Sequence, residues 1–343
     1  MNGQHAIFLS IHHRHAQVFL LTAALGYVGP SLAGEMPVKA CTKTKTLALS
    51  ACVTEVFNDG LLAKAGCINL VDPQAREACL EDSEAAQQDS MKECFAQKRA
   101  REDLCDLLGE APYDPSAYWK AENFVDPTAI GRSVAANPYM PLVPGTQKFE
   151  GEDETVTVTV TGDTKLIAGV TCVVVNDTVH KEGQLLEDTA DWFAQDVQGN
   201  VWYCGEISQN YELFAGDVPE LPELVDVEGS WKAFRAGALP GILMPAAPQA
   251  GKTYRQEMLL GTAEDAAQII TSKADGMLKG DHCAEDGAEI AAWIDRQCNK
   301  NCVVTNDFSP LSPGNTEHKY YAPGIGFVLE VNPDGECLVL DAD

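Results

Sequence analysis

The stretch LIAGVTCVVVNDTVHKEGQLLEDTADWFAQDVQGNVWYCG, Leu166 to Gly205, decides the fold, because parts of it recur further along the chain. NCVVTNDFS (Asn301 to Ser309) repeats TCVVVNDTV (Thr171 to Val179), and HKYYAPGIGFV (His318 to Val328) echoes ADWFAQDVQGNVW (Ala190 to Trp202). Its runs of Val, Thr and aromatic residues are separated by Gly-bearing turns, Lys181-Glu182-Gly183 and Val197-Gln198-Gly199-Asn200, which is the pattern of an antiparallel meander. A β-rich unit is therefore used twice. Just upstream, Thr155 to Thr161 alternates strictly, with Val156, Val158 and Val160 on one face; it reads as a half-buried strand ending in a Gly162-Asp163 turn. Downstream, ILMPAAPQAGKTYRQEM opens the second unit, and its Pro245, Pro248, Gly251 and Tyr254 echo Pro141, Pro144, Gly145 and Phe149. The offset between copies grows from 104 residues at the prolines to 130 at the CVV-ND core. An insertion must lie between, and Lys273 to Gln297, with the amphipathic-helix pattern AEDGAEIAAWIDRQ, is the place for it.

Ahead of these copies, residues 34 to about 110 are rich in Ala, Leu, Glu, Lys and Gln and read as helix. Six cysteines lie here, at gaps of 11, 15, 12, 15 and 11, a sequence that is the same from either end and mirrors about Pro73. Gaps of that size are close to whole helical turns, so the cysteines of each arm share a face. Two antiparallel helices turning near Val71-Asp72-Pro73 would join Cys41 to Cys105, Cys52 to Cys94 and Cys67 to Cys79. Asp72 is suited to cap the second arm and Pro73 to begin it. Asn58-Asp59-Gly60 is expected to break or kink the first arm. A thiolate bundle for a soft metal is the competing reading, but it needs sulfurs within a turn or two, and these are spread along the arms.

The expected organisation is a leader at 1–33, the hairpin at 34–110, a connector at 111–137, a first β repeat at 138–216, an acidic crossover at 217–240, and a second β repeat at 241–343 with a helical insert at about 273–297. In class this is α+β: a disulfide-bonded helical hairpin followed by a duplicated antiparallel β-meander, closed as a sandwich or barrel. The connector's Tyr113, Tyr118, Trp119 and Phe124 point to an ordered wrap rather than a loose linker.

Charge and cysteine content bound the setting. The formal net charge is −27, which argues against nucleic acid and anionic membranes as partners. His12, His13, Arg14 and His15 precede an apolar run, Val18 to Val28, and the small-x-small site Ser31-Leu32-Ala33, so the N-terminus reads as an export leader. The run is too short to span a bilayer, and no other stretch would remain to do so after cleavage. Export places twelve cysteines where disulfides form. The expected location is the periplasm or the exterior.

The phrases NPYMPLVPGT, IAGVTCVVVNDTV, DWFAQDVQGNVWY, GILMPAAPQAGKTYRQE and HKYYAPGIGFVLEV resemble a group of largely uncharacterised exported bacterial proteins, over about 138 to 332. More loosely, the meanders are similar to the half-barrels of LolA-like lipoprotein carriers, a resemblance that implies an apolar concave face. Neither resemblance brings a catalytic residue. The Cys-rich arm and Cys-bearing insert depart from both.

Catalytic fingerprints are missing: there is no GxSxG elbow, HExxH, P-loop or GxGxxG. Only His180, His282 and His318 lie beyond the leader, and their spacing does not suggest a site. Asp191, Asp196 and Asn200 surround a turn and offer oxygen ligands for Ca²⁺, although the same residues favour turns for local reasons. His282, Cys283, Cys298 and Cys302 have the ligand types for zinc, against the disulfide reading of the same cysteines. Trp192, Trp202, Tyr203, Tyr320 and Tyr321 cluster near the two equivalent turns and are the candidates to line a ligand cleft or interface, with core packing as the alternative. Cys172 and Cys204 lie within the first meander, placed to bridge neighbouring strands. Pairing among Cys283, Cys298, Cys302 and Cys337 stays open. The functional expectation is an exported non-enzymatic binding protein without a cofactor. It would hold an apolar or aromatic ligand, or an envelope partner chain, on its β domain. The alternatives are a carboxylate- or metal-dependent extracellular hydrolase and a structural assembly protein.

Overall fold

The cysteine mirror point is where the chain turns. In this computed structural model, which describes residues 39–283 and 287–341, α1 (Ala40–Ile68) and α2 (Pro73–Leu108) form a compact unit that ends at Tyr113. The leader expected at 1–33 lies outside the described residues. Asp72 caps α2 by accepting from the Ala75 amide at 2.7 Å, and Pro73 fills the first helical position. No break occurs at Asn58-Asp59-Gly60, contrary to expectation: α1 runs through. Gly60 serves packing instead, since a Cβ there would lie 2.3 Å from Gln87 Nε2, whose amide reaches Val56 O at 3.3 Å. Among the hairpin's described residues the buried aliphatic side chains are Val56 and Leu104, too thin a core to hold two long helices. Disulfides Cys41–Cys105, Cys52–Cys94 and Cys67–Cys79 supply the constraint, in the nested order that the mirror spacing predicts.

The second unit starts at Asp114. Its strands are β1 (Gly145–Glu150), β2 (Glu154–Ile167), β3 (Val170–Lys181), β4 (Gln184–Gln195), β5 (Val201–Glu212), β6 (Glu223–Asp226), β7 (Trp231–Lys232), β8 (Leu239–Met244), β9 (Thr253–Arg255), β10 (Glu257–Met258) and β11 (Ala266–Ala274). After α3 (Gly287–Cys298) come β12 (Cys302–Phe308), β13 (Thr316–Ala322), β14 (Gly326–Val331) and β15 (Cys337–Leu340). All join one antiparallel sheet in the order β10-β8-β5-β4-β3-β2-β1-β15-β14-β13-β12-β11-β9, with β6 and β7 also on β5. The stretch Thr253 to Met258 meets both ends: β9 pairs with β11, and β10 pairs with β8. The sheet thus curls into a barrel-like form that hides its edges. Gly241 makes this seam possible, because a Cβ on it would lie 2.4 Å from the Arg255 carbonyl oxygen.

The duplication is visible in the register. Val173 pairs with Phe193, Val174 with Trp192 and Asp177 with Thr189 on β3–β4; Val303 pairs with Tyr321, Val304 with Tyr320 and Asp307 with Glu317 on β12–β13. Each following ladder carries a bulge at the same place, between Trp192 and Phe193 and between Tyr320 and Tyr321. Cys204 is the extra residue of the first bulge. Its disulfide to Cys172 links β5 to β3, the strands flanking β4, rather than neighbouring strands as expected.

Three local expectations are revised. Gly162-Asp163 is a register shift inside β2, and the β2–β3 turn falls at Ala168-Gly169, both with positive φ. The crossover at 217–240 is not free of the sheet, since β6 and β7 pair back onto β5. The connector forms three short 3₁₀ turns, at Pro115–Ala117, Ala121–Asn123 and Pro127–Ala129. From there Trp119 and Phe124 pack onto Trp202 at 6.0 and 6.1 Å between ring centroids.

Candidate functional sites

The aromatic candidates are packed rather than lining an open cleft. Trp192, Trp202, Tyr203, Tyr320 and Tyr321 are all buried. Trp202 stacks on Tyr118 with centroids 5.5 Å apart, Tyr203 packs on Phe193 at 4.8 Å, and Tyr321 on Phe327 at 5.7 Å. Lys165 and Lys232 cover Trp192, at 4.0 and 4.8 Å from its ring centroid. Tyr320 lies in a second cluster with Ile294 of α3, on the face away from Tyr321, as adjacent strand residues must.

The calcium set separates. Asp196 spends both oxygens on protein donors: Oδ1 accepts from the amides of Gln198 and Asn200, each at 2.9 Å. Oδ2 accepts from Asn200 Nδ2 at 2.8 Å, Trp202 Nε1 at 2.9 Å and Tyr118 Oη at 3.0 Å. A carboxylate with five donors on it organises a turn and leaves no lone pair for a cation. Asn200 is likewise committed, accepting from the Ala246 amide at 2.8 Å, while Asp191 points elsewhere. The zinc set is also corrected: Cys283 pairs with Cys337 and Cys298 with Cys302, which removes the thiolates. No three His, Cys, Asp or Glu side chains among the described residues are placed to hold a metal ion.

His282 and His318 do come together, at a cavity of about 150 Å³ also lined by Asp281, Thr316 and Asn332. His318 Nδ1 lies 2.9 and 3.0 Å from the two Asp281 oxygens, and Tyr320 Oη donates to Asp281 while accepting from the Leu278 amide at 2.8 Å. The hydrogen bond to Asp281 raises the His318 imidazole above its ordinary range. Burial alone would raise Asp281, but the bonds from His318 and Tyr320 outweigh it and hold the carboxyl low. These bonds fasten the insert to β13.

What sequence reading missed is the polar lining of the sheet. Asp177, Glu187, Asp191, Glu206, Glu257, Asp307 and Glu330 are buried, and among the described residues one lysine, Lys319, is buried with them. Lys319 Nζ lies 3.3 Å from Glu317, 3.3 Å from Glu330 and 4.0 Å from Asp307. Burial works against its charge, yet the pull of Glu330, Glu317 and Asp307 prevails and keeps the ammonium protonated. Around Asp191 the situation differs. Tyr203 Oη donates to Asp191 Oδ1, but Asp191 Oδ2 and both oxygens of Asp177 are buried without a hydrogen bond. Burial first, then Asp191, Glu187 and Glu154, pushes Asp177 well above the usual carboxylate range against the pull of Lys319; burial and Glu187 do the same to Asp191 against the Tyr203 bond. Glu206 rises through burial, Glu257 and Asp191.

A last feature belongs to the hairpin. Leu47, Ala51, Thr54, Asn58, Leu61, Ala65 and Ile68 of α1 are all exposed, and they follow alternating four- and three-residue steps, so they form one stripe opposite the cysteines. Leu47, Leu61 and Ile68 are 68 %, 67 % and 66 % exposed, and Phe57 and Leu62 flank them. None of these residues is charged. No helix among the described residues is long and apolar enough to cross a membrane. Comparison with protein-family models, with curated proteins and with solved structures returns no match.

Proposed function

We propose that the chain is an exported, non-enzymatic assembly protein whose hairpin joins two copies through the outward stripe of α1. The observation that carries this reading is that α1 bears an exposed, uncharged stripe containing Leu47, Leu61 and Ile68 on the side opposite the cysteines that join it to α2. A helix with a second seam at heptad spacing is shaped for another helix, and its alanines allow close approach. A second copy fits best as occupant. A chain of charge −27 repels itself wherever its acids are exposed, and this stripe is uncharged and self-complementary. The six disulfides suit an oxidising compartment, which supports export. A carrier of apolar ligands, as the LolA-like resemblance would imply, has less support, because the aromatic candidates are packed away and carboxyl groups share the sheet's buried face. Sedimentation of the oxidised protein tests the reading: a dimer is expected, and Leu61→Glu should yield a folded monomer. A wild type that stays monomeric at micromolar concentrations removes it.

A further inference from the structure

The two copies solve one electrostatic problem differently. Thr305 pairs with Lys319 and Lys319 with Glu330 in the second copy; Val175 pairs with Asp191 and Asp191 with Glu206 in the first. Asp191 therefore stands where the second copy has Lys319. Asp177 matches Asp307 and Glu206 matches Glu330 in the same registers. The second copy carries its own cation among its carboxylates. The first keeps two of those carboxylates, with Thr189 in the place of Glu317 and a third acid, Asp191, in the lysine's place, and Asp177, 3 % exposed, faces that place without a hydrogen bond on either oxygen.

We propose that the first copy binds an aliphatic ammonium, of the kind carried by linear diamines and polyamines, among Asp177, Asp191 and Glu206. The second copy supplies the template, since three carboxylates hold an ammonium there at 3.3–4.0 Å. A metal ion would need its donors drawn more tightly together than any three ligand groups among the described residues. A linear amine also suits the layout. Glu187, Asp177 (opposite Thr189) and Asp191 occupy three successive levels along β4, roughly 7 Å apart per level. An amine carrying more than one ammonium can answer more than one level.

The test uses the intact, oxidised protein with spermidine, at fixed ionic strength, followed by calorimetric titration and thermal unfolding. Spermidine should bind and raise the unfolding midpoint. Asp191→Lys, which copies the second half's solution, should abolish that response, and Asp177→Asn should weaken binding by roughly tenfold or more. If Asp191→Lys does not fold, the Asp177→Asn titration decides. The proposal is overturned if spermidine has no effect, or if calcium chloride produces the shift instead. An equal response in Asp177→Asn also overturns it, since it would mean only diffuse attraction to an acidic surface.

Discussion

Trp202 donates its indole N–H to Asp196 Oδ2 at 2.9 Å, tying β5 to the turn that precedes it and, through Tyr118 on the same oxygen, to the 3₁₀ wrap. Asp196 is 1 % exposed and holds five donors. Removing it leaves those donors buried and unpaired at about 1–3 kcal/mol for each that finds no other partner. Asp196→Ala should therefore lower stability by about 3 kcal/mol or more, measured by urea unfolding monitored on tryptophan fluorescence. Added calcium should leave the wild-type midpoint where it was. A calcium-dependent midpoint that Asp196→Ala abolishes would restore the metal reading of this turn.

The seam of the sheet predicts a contrast between two glycines. Gly241 has backbone of Arg255 and Gln256 within 2.4 Å of where a Cβ would sit, and neither neighbour can swing away as a side chain could. Gly162 has nothing within 4 Å. Gly241→Ala should cost about 2–3 kcal/mol as β8 and the Thr253–Met258 stretch part, whereas Gly162→Ala should be close to neutral. Thermal unfolding of the two variants side by side measures the difference; equal midpoints would mean the seam carries no weight.

The legible parts of the fold were those in which spacing alone restricts geometry. Six cysteines mirrored about Pro73 leave one sensible nesting, and CVV-ND read twice implies two equivalent strands. The turn at Asp196 was ambiguous for a physical reason: Asp and Asn make both cation loops and self-satisfied turns, and only the positions of Tyr118, Trp202 and Ala246 tell them apart. The buried acids were harder still. In a chain with 51 Asp and Glu, each reads as solvent-facing until strand pairing assigns its face. The Asp191–Lys319 equivalence needed the strand pairing as well, because the copies drift from 130 residues apart at Val173 and Val303 to 128 at Asp191 and Lys319.

The His318–Asp281 fastening should open at both ends of the pH range. Asp281 is held below its ordinary 3.8, so its share of the stability is present above that value and is lost as pH falls through the lowered one. His318 is held above its ordinary 6.5, so its share is fully present below 6.5 and is lost as pH rises through the raised value. Hydrogen exchange at the Leu278 amide, corrected for its intrinsic pH dependence, should be slowest between these limits. His318→Leu should remove the alkaline limb and leave global unfolding nearly unchanged. Protection that ignores pH between the two limbs and beyond them would rule the fastening out.

Lys319→Met offers the most direct measure of what a buried cation contributes here. Lys319 is 5 % exposed, and its loss takes the ammonium away from Asp307, Glu317 and Glu330; removing one partner of a buried pair costs about 3–5 kcal/mol. The carboxylates can escape by taking up protons. The folded variant would then bind more protons than the unfolded chain, and stability must fall as pH rises. The wild type already carries part of this slope, because Asp177, Asp191 and Glu206 are raised in the folded state. Their share is fully present below the ordinary carboxylate range of 3.8 to 4.5 and is lost as pH climbs through the raised values. Urea titrations at about pH 5 and about pH 9 should show Lys319→Met losing far more at the alkaline end than the wild type does. Adding Asp307→Asn and Glu330→Gln should restore most of the difference. If Lys319→Met is equally destabilised at both pH values, the lysine acts by filling space rather than by its charge.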